Sequence, residues 1–167
     1  MSPLPDAARS LDALIHDTIP LTRALGVAIS AWDGQRLTMD APLAPNVNDK
    51  GCAFGGSLAS TMTLAGWSLV TLLLRRHGHD CDVFVAHSEV AYLAPVWKDF
   101  RASATLDADT DADTFLRTLA TRGKARATVH CRVREHDGHA DCATLLARFV
   151  AKRRETVHDT APADAPE

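Results

Sequence analysis

With 167 residues, 46% of them hydrophobic and 23% charged, the chain has globular proportions and apolar material for a single core. Eighteen Lys and Arg against 21 Asp and Glu leave a net charge of -3, which excludes a bulk attraction to nucleic acid or anionic lipid. Cys52, Cys81, Cys131 and Cys142 form no Cys-x-x-Cys pair, so neither a zinc site nor a thioredoxin-like motif is expected. The N-terminus lacks the basic start and apolar run of a secretory signal, and a reduced, cytosolic protein is the expectation.

Residues 6–17 carry Leu11, Leu14 and Ile15 at helical spacing, and Ile19-Pro20 ends that helix because proline disfavours a helical residue before it. Asp33-Gly34 stands between two alternating stretches and predicts a hairpin with strands over about 26–32 and 35–42. The Pro-, Asn- and Gly-rich segment APNVNDKGCAFGG reads as a loop, and a long helix follows from about Ser57 to His77. From Gly51 to Leu74 no residue is charged. Its many glycines and hydroxyls argue against a lone lipid-facing helix and for a core helix. After Gly78 the chain reads as three or four strands, within residues 82–96, 99–109, 115–138 and 139–153, with turns at Pro95, Asp107 to Asp113 and Asp137-Gly138. Residues 155–167 are too poor in apolar groups to order themselves and read as a disordered tail.

A helix apolar on nearly every face must be covered all round, and a curved antiparallel sheet wrapped about it does so. That arrangement is the α+β hotdog fold, here expected over residues 19–154 after an N-terminal helical segment at 1–18. Such a sheet exposes an edge and part of its helix, so a homodimer, or a dimer of dimers, is the expected remedy.

Asn48-Asp49-Lys50-Gly51-Cys52-Ala53-Phe54-Gly55-Gly56 is similar to the hotdog thioesterase motif Asn-x-x-Gly-x-x-His-Gly-Gly. Together with IPLTRALGV upstream and VAYLAPV downstream, it resembles the hotdog thioesterase-like domains found alone or after an acetyltransferase domain in proteobacteria, a branch that includes malonyl-acyl-carrier-protein decarboxylases. The likeness covers roughly residues 19–152. Physically, Gly55 and Gly56 let the backbone approach a ligand, and their N–H groups at a helix start face developing negative charge. Asn48 could add a second donor to an oxyanion hole, with Asn46 the lesser candidate for that role. A tight turn capped by Asn48 is the plain alternative.

Two departures bear on the chemistry. Phe54 fills the histidine slot, and Thr63 stands where many relatives carry an acidic general base. Losing such a base commonly costs about 10²–10⁴-fold in hydrolysis. Decarboxylation of a malonyl thioester needs no base, only an oxyanion hole and a poorly solvating site, to which Phe54, Leu58, Met62 and Leu64 are either an apolar wall or ordinary core. His87 and Glu89, two apart on one strand face, or Asp49, could replace the base; a solvated strand face is the commoner reading of such a pair. Cys52 has no adjacent histidine and reads as a small buried residue. His77, His79, His136 and His139 offer too few ligands at metal spacing, so no metal is expected. Arg122, Lys124, Arg126, Arg132 and Arg134, with Arg75 and Arg76, are candidates to hold the phosphate of phosphopantetheine or the acidic face of a carrier protein, or else a solvated edge.

The sequence thus reads as a dimeric hotdog enzyme of acyl-thioester metabolism that decarboxylates malonyl-acyl carrier protein to its acetyl form, a step that would help start fatty-acid synthesis. It would use no cofactor beyond the phosphopantetheine its substrate carries and would bind neither nucleic acid nor membrane. The alternatives are an acyl-CoA or acyl-carrier-protein thioesterase, and a non-catalytic module that binds acyl thioesters.

Overall fold

The computed structural model describes residues 4–154, so the predicted tail at 155–167 lies outside the described residues. Helix α1 spans Asp6–Thr18 and buries Ala8, Leu11 and Ile15, one apolar stripe at helical spacing. Pro20 then starts a second short helix, α2 (Pro20–Leu25), instead of merely ending the first; proline is well suited to the first helical position, where its missing N–H has no partner to lose. Strands β1 (Ala28–Trp32) and β2 (Arg36–Ala41) follow. The Asp33 carboxylate closes their turn by accepting the N–H groups of Gln35 and Arg36 at 2.8 and 2.7 Å, which holds its pKa below the usual value.

Helix α3 (Gly55–Arg76) is the centre of the molecule. Around it lies one antiparallel sheet in the order β1-β2-β4-β5-β6-β3, with β3 Cys81–Tyr92, β4 Phe100–Leu106, β5 Lys124–Glu135 and β6 Ala143–Arg153. This is the hotdog architecture. By length and composition α3 could cross a membrane, yet 67% of its most apolar window is buried inside the protein. Inward residues alternate strictly along β5 and β6, where Val129, Cys131, Val133, Leu145 and Phe149 are all at most 1% exposed.

Helix and sheet approach most closely at Gly66. A Cβ there would meet the Phe149 ring at 2.9 and 3.0 Å and the Cys131 sulfur at 3.4 Å. Burial pushes the Cys131 thiol pKa up to about 12, and its Sγ donates to Met62 O at 3.3 Å. This thiol stays neutral and inert at ordinary pH.

Besides α2, one further stretch differs from the sequence reading. Residues expected to extend from 115 form helix α4 (Ala112–Arg122), capped by the Asp111 carboxylate on Thr114 N at 2.9 Å and stopped by Gly123 at φ 66°. The Asp111-x-x-Thr114 cap, the Phe115/Leu119 pair on the buried face and the terminal glycine are together a helix signature. Alternating Thr and Arg residues had masked it.

Two surfaces stay uncovered. Strand β3 is a sheet edge, 12 residues long and exposed along most of its length, including Phe84 and Val85. Next to it α3 shows a half-buried stripe at helical spacing, Gly56, Ser60, Thr63 and Trp67, with Trp67 Nε1 donating to Val83 O at 2.9 Å.

The contact at Gly66 yields a test. Alanine in a helix interior normally gains about 1 kcal/mol over glycine, but overpacking a filled core costs about 1–3 kcal/mol. Gly66→Ala should therefore melt below the wild type by thermal circular dichroism; a raised melting temperature would mean that the Phe149 ring has room to move.

Candidate active site

The loop from Pro42 to Phe54 delivers the chain into α3, and its geometry explains the motif spacing. A 3₁₀ turn, Ala44–Asn46, brings Asn46 into the interior at 1% exposure. Its Nδ2 donates to Leu25 O at 2.8 Å and Pro42 O at 2.7 Å, and its carbonyl accepts Phe54 N at 2.7 Å. Both amide protons are spent on backbone carbonyls, so the sequence candidate Asn46 is corrected to a structural pin with no donor left for a ligand.

Residues 48–52 form a closed turn. Asn48 N donates to Cys52 O at 2.8 Å, Gly51 N to Asn48 O at 3.1 Å, and Asn48 Oδ1 accepts Lys50 N at 2.8 Å. Gly51 takes φ 84°, a value that L side chains avoid. The Asn-x-x-Gly half of the motif is thus the closure of this turn. Asn48 Nδ2 donates to Cys52 Sγ at 3.2 Å, which leaves one of its two amide protons uncommitted to that bond.

Ala53 N is tied to Val96 O at 2.8 Å and Phe54 N to Asn46 O, while the first bond of the helix is Leu58 N to Phe54 O at 3.1 Å. The N–H groups of Gly55, Gly56 and Ser57 therefore have no intrahelical acceptor and form the positive end of a 22-residue helix. Aromatic rings flank them. A Cβ at Gly56 would run into the Phe54 ring, and one at Gly55 would meet the Tyr92 ring at 3.2 Å; Tyr92 Oη donates to Gly55 O at 3.1 Å. Phe54 and Tyr92 are 56% and 57% exposed, and Val47, Leu93 and Trp97 are exposed at the same end. Tyr92 was not singled out in the sequence, because its meeting with Gly55 depends on where β3 ends; an aromatic closing an edge strand is the only local hint.

The other candidates separate. Leu58 and Met62, with Leu64, are 3%, 0% and 9% exposed and belong to the core, which leaves Phe54 as the member of the supposed wall that reaches the surface. Thr63 bonds its own helix at Ala59 O, 2.9 Å away, and stands on the uncovered stripe. Cys52 is buried as expected. His87 and Glu89 pair with Arg148 and Leu146 across β6, on the sheet face turned away from α3, and Asp49 is an exposed ion pair with Lys50. The strand pair His87 and Glu89 is therefore on the other side of the sheet from the helix start. Among the described residues no three His, Cys, Asp or Glu side chains gather.

The basic trio is displaced too. Tyr92 pairs with Ala143, which pairs with Val133, whereas Lys124 pairs with Lys152 nine residues along β6. At about 3.3 Å per residue, Lys124 lies about 30 Å and Arg126 about 23 Å along the sheet from Tyr92, the neighbour of Gly55, and Arg122 ends α4 beyond them. Arg132 and Arg134 are at the near end of β5, on its outer face, ion-paired to Asp141 at 3.8 and 2.6 Å.

Comparison with known proteins agrees with the fold. Residues 8–153 match the family described as "Putative thioesterase (yiiD_Cterm)". A "putative thioesterase" from Shewanella oneidensis is 29% identical, with 88% of this chain and 98% of that one covered at TM-score 0.78. A protein of unknown function from Chlorobaculum tepidum TLS is 25% identical over 88% and 94% of the two chains, TM-score 0.82. A Haemophilus influenzae thioesterase, 18% identical over 90% and 94%, shares the fold at TM-score 0.68.

The two asparagines should part in a stability measurement. Asn46→Ala leaves two interior carbonyls unpaired, at about 1–3 kcal/mol each, whereas Asn48→Ala loses contacts at the loop surface. Urea unfolding should show a large loss for the first and a small one for the second; equal losses would contradict the division of roles.

Proposed function

The chain belongs to the hotdog family described as "Putative thioesterase (yiiD_Cterm)", and on that premise we propose that it binds acyl thioesters at the start of α3 and decarboxylates a malonyl thioester. The observation that carries the reading is the combination at the helix N-terminus: unpaired Gly55, Gly56 and Ser57 amides, aromatic neighbours, and the strand candidates His87 and Glu89 turned to the other face of the sheet. The substrate's thioester oxygen lies against the Gly55 amide. The bond between C2 and the carboxylate breaks, its electron pair makes the enolate, and carbon dioxide leaves. Water then supplies a proton to C2, giving the acetyl thioester. The Gly55 N–H and the second amide proton of Asn48 stabilise the enolate oxygen as its charge develops, and the Phe54 and Tyr92 rings solvate the departing carboxylate poorly.

Hydrolysis is the second reading, favoured by the descriptions of the family and of the Shewanella protein. Water attack would need a base that neither Thr63 nor Phe54 provides. A homodimer fits both readings. A second copy paired along β3 would extend the sheet, cover the α3 stripe and enclose Thr63 beside the helix start.

Incubation with malonyl-acyl carrier protein should consume substrate without releasing an equivalent of free thiol, as read by a thiol-reactive dye. Stoichiometric thiol would establish hydrolysis instead. Asn48→Ala should lower turnover by about 10²–10³-fold, the usual loss for one oxyanion donor, without unfolding; a folded variant with wild-type turnover would refute the assignment. Sedimentation at micromolar concentration should show a dimer, and a stable monomer would remove the composite site.

A further inference from the structure

The outer face of the sheet segregates charge. Cross-strand pairing puts Lys124, Arg126, Arg132 and Arg134 of β5 on that face. Arg36 and Arg101 join them from β2 and β4, and Arg148 and Lys152 from β6. The acids on the same face are Asp40, Asp82 and Glu89 of the strands, Asp141, which pairs with Arg132 and Arg134, and Asp137 in the turn after β5, so basic groups still outnumber acids. A chain with net charge -3 therefore carries one strongly cationic surface. At its end nearest the helix start the face hollows into a groove of about 540 Å³ whose lining includes Arg36, Arg101, Arg132, Arg134 and His136, with Asp137 as its acid. The groove borders the site loop: His136 N donates to Asp99 O, and the Asp99 carboxylate accepts Leu43 N, both at 2.8 Å.

The pattern narrows the occupant. A second copy docked symmetrically would set cation against cation, and one docked through its acidic remainder would tend to propagate into open chains. Phe84 and Leu146, 57% and 41% exposed, and half-buried Val150 lie among the basic residues. Exposed apolar side chains interleaved with arginines are the composition of a protein interface, not of a track for a phosphate backbone. We propose that this outer face docks an acidic protein partner. On the functional reading above, that partner is the carrier protein bearing the acyl group, seated so that its prosthetic arm passes the His136 end of the groove toward Gly55.

The test uses apo acyl carrier protein, which has no phosphopantetheine and so reports on the surface alone. It should bind the wild-type protein with an affinity that falls as salt rises. The double variant Arg126→Glu, Arg148→Glu changes two exposed side chains and should keep the wild-type circular dichroism and sedimentation while weakening binding about tenfold or more. Arg132→Glu, which also breaks the contact with Asp141, is a second, independent reversal with the same expected direction. Absent binding, binding unchanged by both reversals, or preference for a short DNA duplex over the carrier protein would overturn the proposal. Failure to turn over any malonyl thioester would count against the assigned reaction alone and leave the docking result standing.

Discussion

Helix α3 is apolar on nearly all sides, and the molecule is organised around covering it. The sheet does most of this, and the covering is tight enough that residue 66 has room for no side chain between the helix and the Phe149 ring. Burial along the shaft fixes the ends as well. The start of the helix comes out where β3 finishes and the loop after β2 returns, so the half-buried Gly55 and Gly56 amides and the buried Ser57 amide are left without an intrahelical acceptor there, held by a framework that cannot easily shift. A flexible loop would have to reorganise as charge developed on a bound oxygen; a helix clamped in a close-packed core does not. The stripe that the sheet leaves bare is the part of the same constraint that one chain cannot meet by itself.

The loop converts this scaffold into a site through a few backbone bonds. Asn46 joins the end of α2, the exit of β2 and the entry of α3 in one buried node. The 48–52 turn then closes on itself through Asn48, Gly51 and Cys52. Magnitudes favour chemistry without a base. A missing general base costs hydrolysis about 10²–10⁴-fold, while each oxyanion donor contributes about 10²–10³-fold to either reaction, so on the proposed reading the groups that remain serve enolate formation fully and water attack only in part.

Much of the fold was legible because its strongest signals are local and periodic. The uncharged run into α3, the Asp33-Gly34 turn and the alternation in β5 and β6 each name their element unaided. Helix α4 was missed because its evidence is a cap, a pair of buried residues and a terminal glycine, which alternating Thr and Arg residues imitate as a strand. The motif located the site, yet it could not say which asparagine keeps a free proton: Asn46 and Asn48 differ only in what folds around them. Burial removed Leu58 and Met62 from the surface, and strand register carried Lys124 away from Gly55 and turned Glu89 outward. Tyr92 needed the end of β3 to be known. Each of these is a tertiary fact, set by pairing over many residues of separation.

The central claim, that α3 offers its amides to an enolate without a base, is tested most directly by the mass of the products formed in deuterated water from malonyl-acyl carrier protein. The account predicts acetyl-acyl carrier protein carrying solvent deuterium on its methyl group, with carbon dioxide released in equal amount. Free malonate and an unacylated carrier thiol would contradict it.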